Sequence, residues 1–242
     1  MKLQQLSKSK NGTVKFLVKD TTPAFLNMYR RMLINDVPSM AIDHIEVEQN
    51  SSGIYDEMLA HRLGLIILKT DLDACFLKDK KKYTVTLTLE AEGPCTVYAE
   101  QIESRDPGVI PMHPKTPITK LLNGQKLKLV ATAETGTGFE HIKYSPGLMY
   151  YYGNPEMDSK KAESVIKSCK ICNKKNKIEA YDLCMSCQTI LEDEKIIKRS
   201  EKDFVVIIEP WGQLTAQEMG EALSRIADEQ FDDFTNAIKK LK

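Results

Sequence analysis

Cys169 and Cys172 form one C-x2-C pair, and Cys184 and Cys187 form a second after eleven intervening residues. A C-x2-C pair closes a tight turn that presents two thiolates to one ion, and two such turns complete a tetrahedral set of four sulfurs. The connection is shorter than the roughly fifteen to twenty residues usual between such pairs, yet long enough to bring them together. Three readings fit these residues. A single structural zinc ion is the first, an iron–sulfur cluster the second, and free or redox-paired thiols the third. No βαβ pattern surrounds either pair, which disfavours a thioredoxin-like site. Under both metal readings the ligand set is closed and structural, so no catalysis is expected there. Cys75 and Cys95 have no Cys or His at ligand spacing and read as small buried hydrophobes.

No other stretch carries a catalytic pattern. The sequence has no GxSxG, HExxH, Walker or GxGxxG motif. His44, His61, His113 and His141 form no readable constellation, and the glycines of T135–G138 precede no helix that could cradle a phosphate. The expectation is a chain without an active site. The 242 residues carry 34 basic and 34 acidic side chains, and this zero balance argues against a free-standing nucleic-acid binder. The densest basic run, Lys78 to Lys82, reads as a solvated hairpin tip. There is no apolar run of membrane-spanning length, and the N-terminus lacks the apolar centre of a signal peptide. A cytoplasmic location follows, where cysteines stay reduced or bind metal.

The elements that must position these residues are legible from periodicity. Thr13 to Lys19 alternates as a half-buried strand. Phe25, Met28, Tyr29, Met32 and Leu33 then mark one apolar face of a helix, capped by Thr21 or Thr22 and ended by Asn35, Asp36 and Pro38. That face reads first as core and second as a seat for a partner helix. Arg30 and Arg31 lie opposite, as an ordinary solvated surface or as a docking patch for an acidic partner. A strand over Ile42–Val47 and a helix marked by Tyr55, Met58, Leu59, Leu63 and Ile66 follow. Val85, Leu87 and Leu89 alternate with threonines, Gly93-Pro94 breaks the run, and Thr96–Ile102 resumes it, which predicts a hairpin. Arg105–Pro117 holds four prolines and reads as an extended loop. Leu127, Leu129 and Ala131 mark another strand, Ser145-Pro146 a stop, and Phe204–Ile208 a short buried strand. Thr215 and Glu218 form a capping box for a long final helix. Its stripe is Met219, Leu223, Ile226, Ala227, Phe231, Phe234, Ile238 and Leu241, which is long enough to demand a partner surface. The fold class is therefore α+β. Residues 1–46 plus 203–242 form a discontinuous dimerisation domain of sheet plus long helices, with helix 55–67 packing on it. Residues 47–153 form a β-rich insertion, and 154–202 a four-cysteine insertion.

Three functions compete on these features: a structural assembly subunit, a metal-stabilised nucleic-acid-binding module, and an electron-transfer protein. The cysteine insertion offers Lys174, Lys175 and Lys177 but only Tyr181 as a nearby aromatic, which is thin for nucleic acid. An electron carrier has no need of a long interface helix.

FLNMYRRMLINDVPSMAIDHIEVEQN followed by DEMLAHRLGLIIL resembles the alpha motif of RNA polymerase assembly subunits. The closest likeness is to the archaeal D type, related to the bacterial alpha N-terminal domain and to the third-largest subunit of the eukaryotic nuclear enzyme. GPCTVYAEQI, ITKLLNGQKLKLVATAETGTGFEHIKYSPG and FVVIIEPWGQLTAQEMGEAL extend the likeness over nearly the whole chain. The resemblance implies a non-catalytic scaffold of DNA-dependent RNA polymerase. Such a scaffold heterodimerises with a small L-type alpha-motif subunit, recruits N-type and P-type subunits and supports the large B-type subunit. DNA is met only through the complex, and no membrane is involved. It places Phe25, Met28, Tyr29, Met32, Leu33, Leu223, Ile226, Phe231 and Phe234 in the heterodimer core, and Arg30 and Arg31 toward the large subunit. The archaeal-type resemblance also implies no DNA-contacting C-terminal domain of the bacterial alpha kind. The family's ferredoxin-like insert carries C-x2-C-x2-C-x3-C-P. Here Lys175 stands in the third slot and no proline follows Cys187, so the ligand pattern departs from the family's. Zinc, an iron–sulfur cluster and a set without any ion all remain open at this point.

Overall fold

The computed structural model describes residues 1–76, 82–172 and 179–240. Lys78 to Lys81 of the predicted basic tip, Lys174, Lys175, Lys177 and Leu241 lie outside the described residues. In chain order the elements are β1 (Lys2–Lys8), β2 (Val14–Lys19), α1 (Pro23–Asn35), β3 (Pro38–Asn50), α2 (Asp56–Gly64) and the one-turn α3 (Leu72–Cys75). They continue with β4 (Thr84–Glu92), β5 (Cys95–Tyr98), β6 (Glu103–Ser104), β7 (Pro117–Leu121), β8 (Lys126–Thr137) and β9 (Gly147–Met157). The chain closes with α4 (Ser159–Ser168), α5 (Met185–Asp193), β10 (Ile197–Pro210) and α6 (Ala216–Lys239). Antiparallel sheets with separate helices make the class α+β, as the periodicities predict.

The chain divides into two compact units, and the division falls inside α1. The first comprises Met1–Met28 and Met149–Ile208. Its sheet has the order β1-β2-β10-β9. β2 and β10 run antiparallel, with Val18 opposite Phe204 and Val14 opposite Ile208. Leu17, Val205 and Ile207 are buried on one face, where Leu6, Tyr152 and Tyr181 pack against them. The N-terminus is an exposed edge strand, β1, with a lysine near each end. β10 is fourteen residues long rather than a short run from Phe204. β9 runs to Met157 and β10 begins at Ile197, so the cysteine-bearing helices lie between these two strands.

The second unit comprises Tyr29–Leu148 and Glu209–Lys242. Its larger sheet has the order β3-β8-β4-β6, and β5 and β7 form a separate pair. Alternation in β4 buries Val85, Leu87, Leu89 and Ala91 against Leu127, Leu129, Ala131 and Ala133 of β8. The predicted hairpin does not form, although both of its strands exist. β8 lies along one side of β4 for its full length, the two-residue β6 meets the other side only at Leu87 and Thr88, and β5 pairs with β7. Gly93 permits the departure. A Cβ there would lie 2.1 Å from the Leu122 carbonyl oxygen, a distance no side chain tolerates.

The second helix also departs from expectation. α2 is real, but Tyr55 and Met58 are exposed, while Leu59 and Leu63 sit in the β-rich core with Met40, Leu87 and Leu129. Its nearest neighbours are β3 and β7. The helix packs on the sheet face lined by Met40, Ile42, Leu87 and Leu129.

α1 runs as predicted from its cap. Thr22 Oγ1 accepts from the Phe25 N–H at 3.3 Å. Its buried residues are Leu26, Met32 and Leu33, whereas Phe25 stands exposed and Met28 and Tyr29 are half-buried. The apolar stripe is thus rotated toward Leu26, a residue the spacing of the aromatic and methionine positions did not single out. The Thr215–Glu218 capping box forms in both directions at the start of α6.

Candidate functional site

The cysteine site is built by two short helices. Ala162, Val165 and Ile166 fall at i, i+3 and i+4 of α4, and Cys187 and Leu191 at i and i+4 of α5, so each helix turns one apolar side inward. These residues, with Leu183 and Ile197, make a small core that includes the four sulfurs themselves. Cys169 follows the last turn of α4, its N–H donating to the Ile166 carbonyl at 3.2 Å. Cys184 is the N-cap of α5, and Cys187 lies in its first turn. This inner core went unread in the sequence, although the helical spacing around Ala162 and Leu191 carries the signal.

All four Sγ atoms lie within 4.8 Å of one another. Cys169 Sγ and Cys184 Sγ are 3.7 Å apart, and the Cys184 N–H donates to Cys172 Sγ at 3.3 Å. A single ion bonded to four thiolates at about 2.3 Å sets their mutual spacing at about 3.8 Å, so the sulfurs fit one tetrahedral ion. Backbone N–H groups of Cys172 and Ile171 aimed at its sulfur pull the Cys169 thiol down to about 6, favouring the thiolate that a cation needs. Burial pushes the Cys172 and Cys187 thiols up, and a bound cation is what would offset that cost. The four cysteines are thus brought together as their spacing predicts. Cys75 and Cys95 stand apart from the set, half-buried, and burial raises Cys75 to about 12.

The expected interface residues fall into two groups. Met32, Leu33, Leu223 and Ile226 are buried within the chain itself. Phe25, Phe231 and Phe234 are exposed, the last two at 58% and 66%, and Met28 and Tyr29 are half-buried. α6 changes character along its length. Met219, Ala222, Leu223, Ile226 and Ala227 are buried, and every residue from 228 to 240 is exposed. Arg31 is exposed and Arg30 half-buried on α1.

Residues 44–150 match the family described as the RNA polymerase Rpb3/RpoA insert domain. The DNA-directed RNA polymerase subunit Rpo3 of Pyrococcus horikoshii is 35% identical over all of this chain and 99% of its own length. The protein of the same name from Pyrobaculum calidifontis is 33% identical over 93% of this chain and 92% of its own. The chain belongs to the Rpo3 family of DNA-directed RNA polymerase subunits. A third relative, Rpo3 of Methanosarcina acetivorans, is 32% identical over 86% of the chain and 87% of its own length. The matched segment begins within β3 and takes in α2, β4, β6 and β8. Among the described residues no helix is long and apolar enough to cross a membrane.

Proposed function

We propose that this chain is a non-catalytic assembly scaffold of DNA-dependent RNA polymerase that pairs with a small alpha-motif subunit. The observation that carries the reading is the exposed distal half of α6. A capped, 24-residue helix holds Phe231, Phe234 and Ile238 in solvent, where a monomer gains nothing from them. On α1, Phe25, Met28 and Tyr29 offer apolar side chains to the same kind of partner, while Met32, Leu33, Leu223 and Ile226 are buried within the chain. Arg30 and Arg31 provide guanidinium groups for a carboxylate-bearing large subunit. N-type and P-type subunits join the assembled pair. Co-expression with a small alpha-motif subunit tests this. A stable one-to-one complex that Phe231→Ser with Phe234→Ser abolishes is expected. Failure of the unsubstituted chains to associate would sink the scaffold reading.

Zinc is the ion the cysteine set suits best. Four sulfurs within 4.8 Å match the span of one tetrahedral ion, whereas a multi-iron cluster spreads its thiolates over several metal atoms. Bound zinc would supply a structural cross-link between the end of α4 and the start of α5, with Cys169, Cys172, Cys184 and Cys187 holding it. Metal analysis and the visible spectrum of anaerobically purified chain decide this. One colourless zinc per chain is expected, and iron with sulfide and brown absorbance would replace it with a cluster.

A further inference from the structure

The four cysteines are not equivalent. Cys172 and Cys187 are 1% and 3% exposed, while Cys169 and Cys184 are half-buried. Each C-x2-C pair therefore contributes one inner and one outer sulfur. The elements explain the split. Cys187 shares the inward side of α5 with Leu191, four residues on, and Cys172 belongs to the core that includes Ala162, Leu183 and Ile197. Cys169 instead follows the last turn of α4, and Cys184 is the N-cap residue of α5, so both stand where a helix ends.

The two outer sulfurs are also neighbours. Cys169 Sγ lies 3.7 Å from Cys184 Sγ, although the residues belong to different pairs. In a tetrahedral ligand set any two corners share an edge, and the other two share the opposite edge. One edge here, Cys169–Cys184, is partly open to solvent, and the opposite one, Cys172–Cys187, lies in the core. The apolar residues beside the open edge are themselves in solvent: Ile171 is 66% exposed and Met185 82%. The inner edge is also the better fastened, because the Cys184 N–H donates to Cys172 Sγ at 3.3 Å.

We propose that an ion held by these sulfurs is loaded and withdrawn through the Cys169–Cys184 edge, with Cys172 and Cys187 the last to let go. The inference rests on the zinc reading above and adds where exchange happens. Replacement at a closed set of four ligands needs an incoming donor to approach as one sulfur leaves. A small dithiol or a thiolate-bearing carrier reaches the ion only where the ligands meet water. Cys169 or Cys184 gives up its place to that donor, and the freed thiolate takes a proton from solvent. Departure of Cys172 or Cys187 first would require opening the core of Ala162, Leu183, Leu191 and Ile197. Exchange therefore proceeds in the folded chain, and the cross-link between α4 and α5 is a removable one.

Alkylation of the zinc-loaded full chain with N-ethylmaleimide tests this. A colour-forming chelator reports released zinc, and mass spectrometry maps the modified cysteines at low extent. Cys169 and Cys184 should react about tenfold or more faster than Cys172 and Cys187, with zinc appearing at the rate of the faster pair. Hydrogen exchange followed in parallel should show α4 and α5 protected until zinc has left. Earlier modification of Cys172 or Cys187, equal rates at all four, or loss of amide protection ahead of zinc would each overturn the proposal. Serine variants loaded with cobalt(II) give an independent check. Cys169→Ser and Cys184→Ser should each still bind one cobalt and yield it to the chelator about tenfold or more faster than the native chain. An outer variant that yields cobalt no faster would also end the idea. Metal content measured beforehand keeps the two readings apart. A chain that carries iron and sulfide, or takes up no zinc, ends both, whereas a zinc-bound chain alkylated in the wrong order ends only this inference.

Discussion

At the scale of single residues, a few side chains fix how the β-rich unit closes. Lys143 Nζ donates to Asp43 Oδ1 at 2.5 Å and to the Ile42 carbonyl at 3.2 Å, and the Tyr144 hydroxyl donates to the same carboxylate at 3.0 Å. These groups lie a hundred residues apart in sequence and tie β3 to the turn before β9. The Lys143 hydrogen bond, with help from Tyr144, holds the Asp43 carboxyl below its ordinary 3.8. A depressed carboxyl stabilises the fold above its unfolded value, and that contribution is lost as pH falls through the folded one. The stability difference between the native chain and Asp43→Asn should therefore be full above pH 3.8 and shrink below it, as read by denaturant unfolding over an acid series. Gly138 shows the opposite kind of constraint. A Cβ there would lie 1.8 Å from the Ile34 carbonyl oxygen, so the end of β8 must approach the end of α1 without a side chain. Gly138→Ala should cost about 3 kcal/mol or more, because backbone rather than a movable side chain has to yield; thermal melting measures it.

At the scale of elements, α6 is two helices in one. Its first half is core, and its second half is solvent-facing, so the same kind of substitution has opposite consequences along it. Leu223→Ala should destabilise the chain by about 2–4 kcal/mol through a cavity. Phe231→Ser and Phe234→Ser should each change stability by no more than about 0.5 kcal/mol while removing association. Chemical denaturation beside a pairing assay reads both. A melting loss at Phe231 equal to that at Leu223 would mean the distal half is packed within the chain after all. α2 teaches a related lesson. Tyr55, Met58, Leu59, Leu63 and Ile66 all suit a helix, but only the last three are buried, because a sheet presents one flat face to a helix and cannot cover a wide stripe. The missing hairpin between β4 and β5 reflects a choice of partner that local pattern cannot see, since β4 pairs along its whole length with β8 and β5 with β7.

At the scale of the whole molecule, the cores are separate. The cysteine segment gathers Ala162, Leu183, Leu191 and Ile197 around its sulfurs, while the sheet of β3, β8 and β4 has its own, larger core. A segment of some 40 residues buries too little apolar surface to hold itself together without a cross-link. On the zinc reading proposed above, a chelator should therefore release amide protection in α4 and α5 and leave that of β4 and β8 intact, as measured by hydrogen exchange. Equal loss in both would show that the metal supports the entire fold. Stability and metal occupancy are then separable properties of one polymerase subunit.

What the sequence by itself determined is whatever depends on neighbours along the chain. The alternation of β4, the Thr215–Glu218 capping box, the spacing of the four cysteines and the family likeness are all local patterns, set by side-chain period and turn chemistry. Tertiary structure decided what depends on competition for surface. It chose which face of α1 is inside, buried Leu59 and Leu63 of α2 against the sheet, lengthened β10, and paired β5 with β7. It also left Phe231 and Phe234 bare while burying Leu223 and Ile226 on the same helix. Periodicity marks a residue as apolar but cannot say whether its cover comes from this chain or another. Burial is a property of the packed surface, and only the folded chain shows where its own atoms run out.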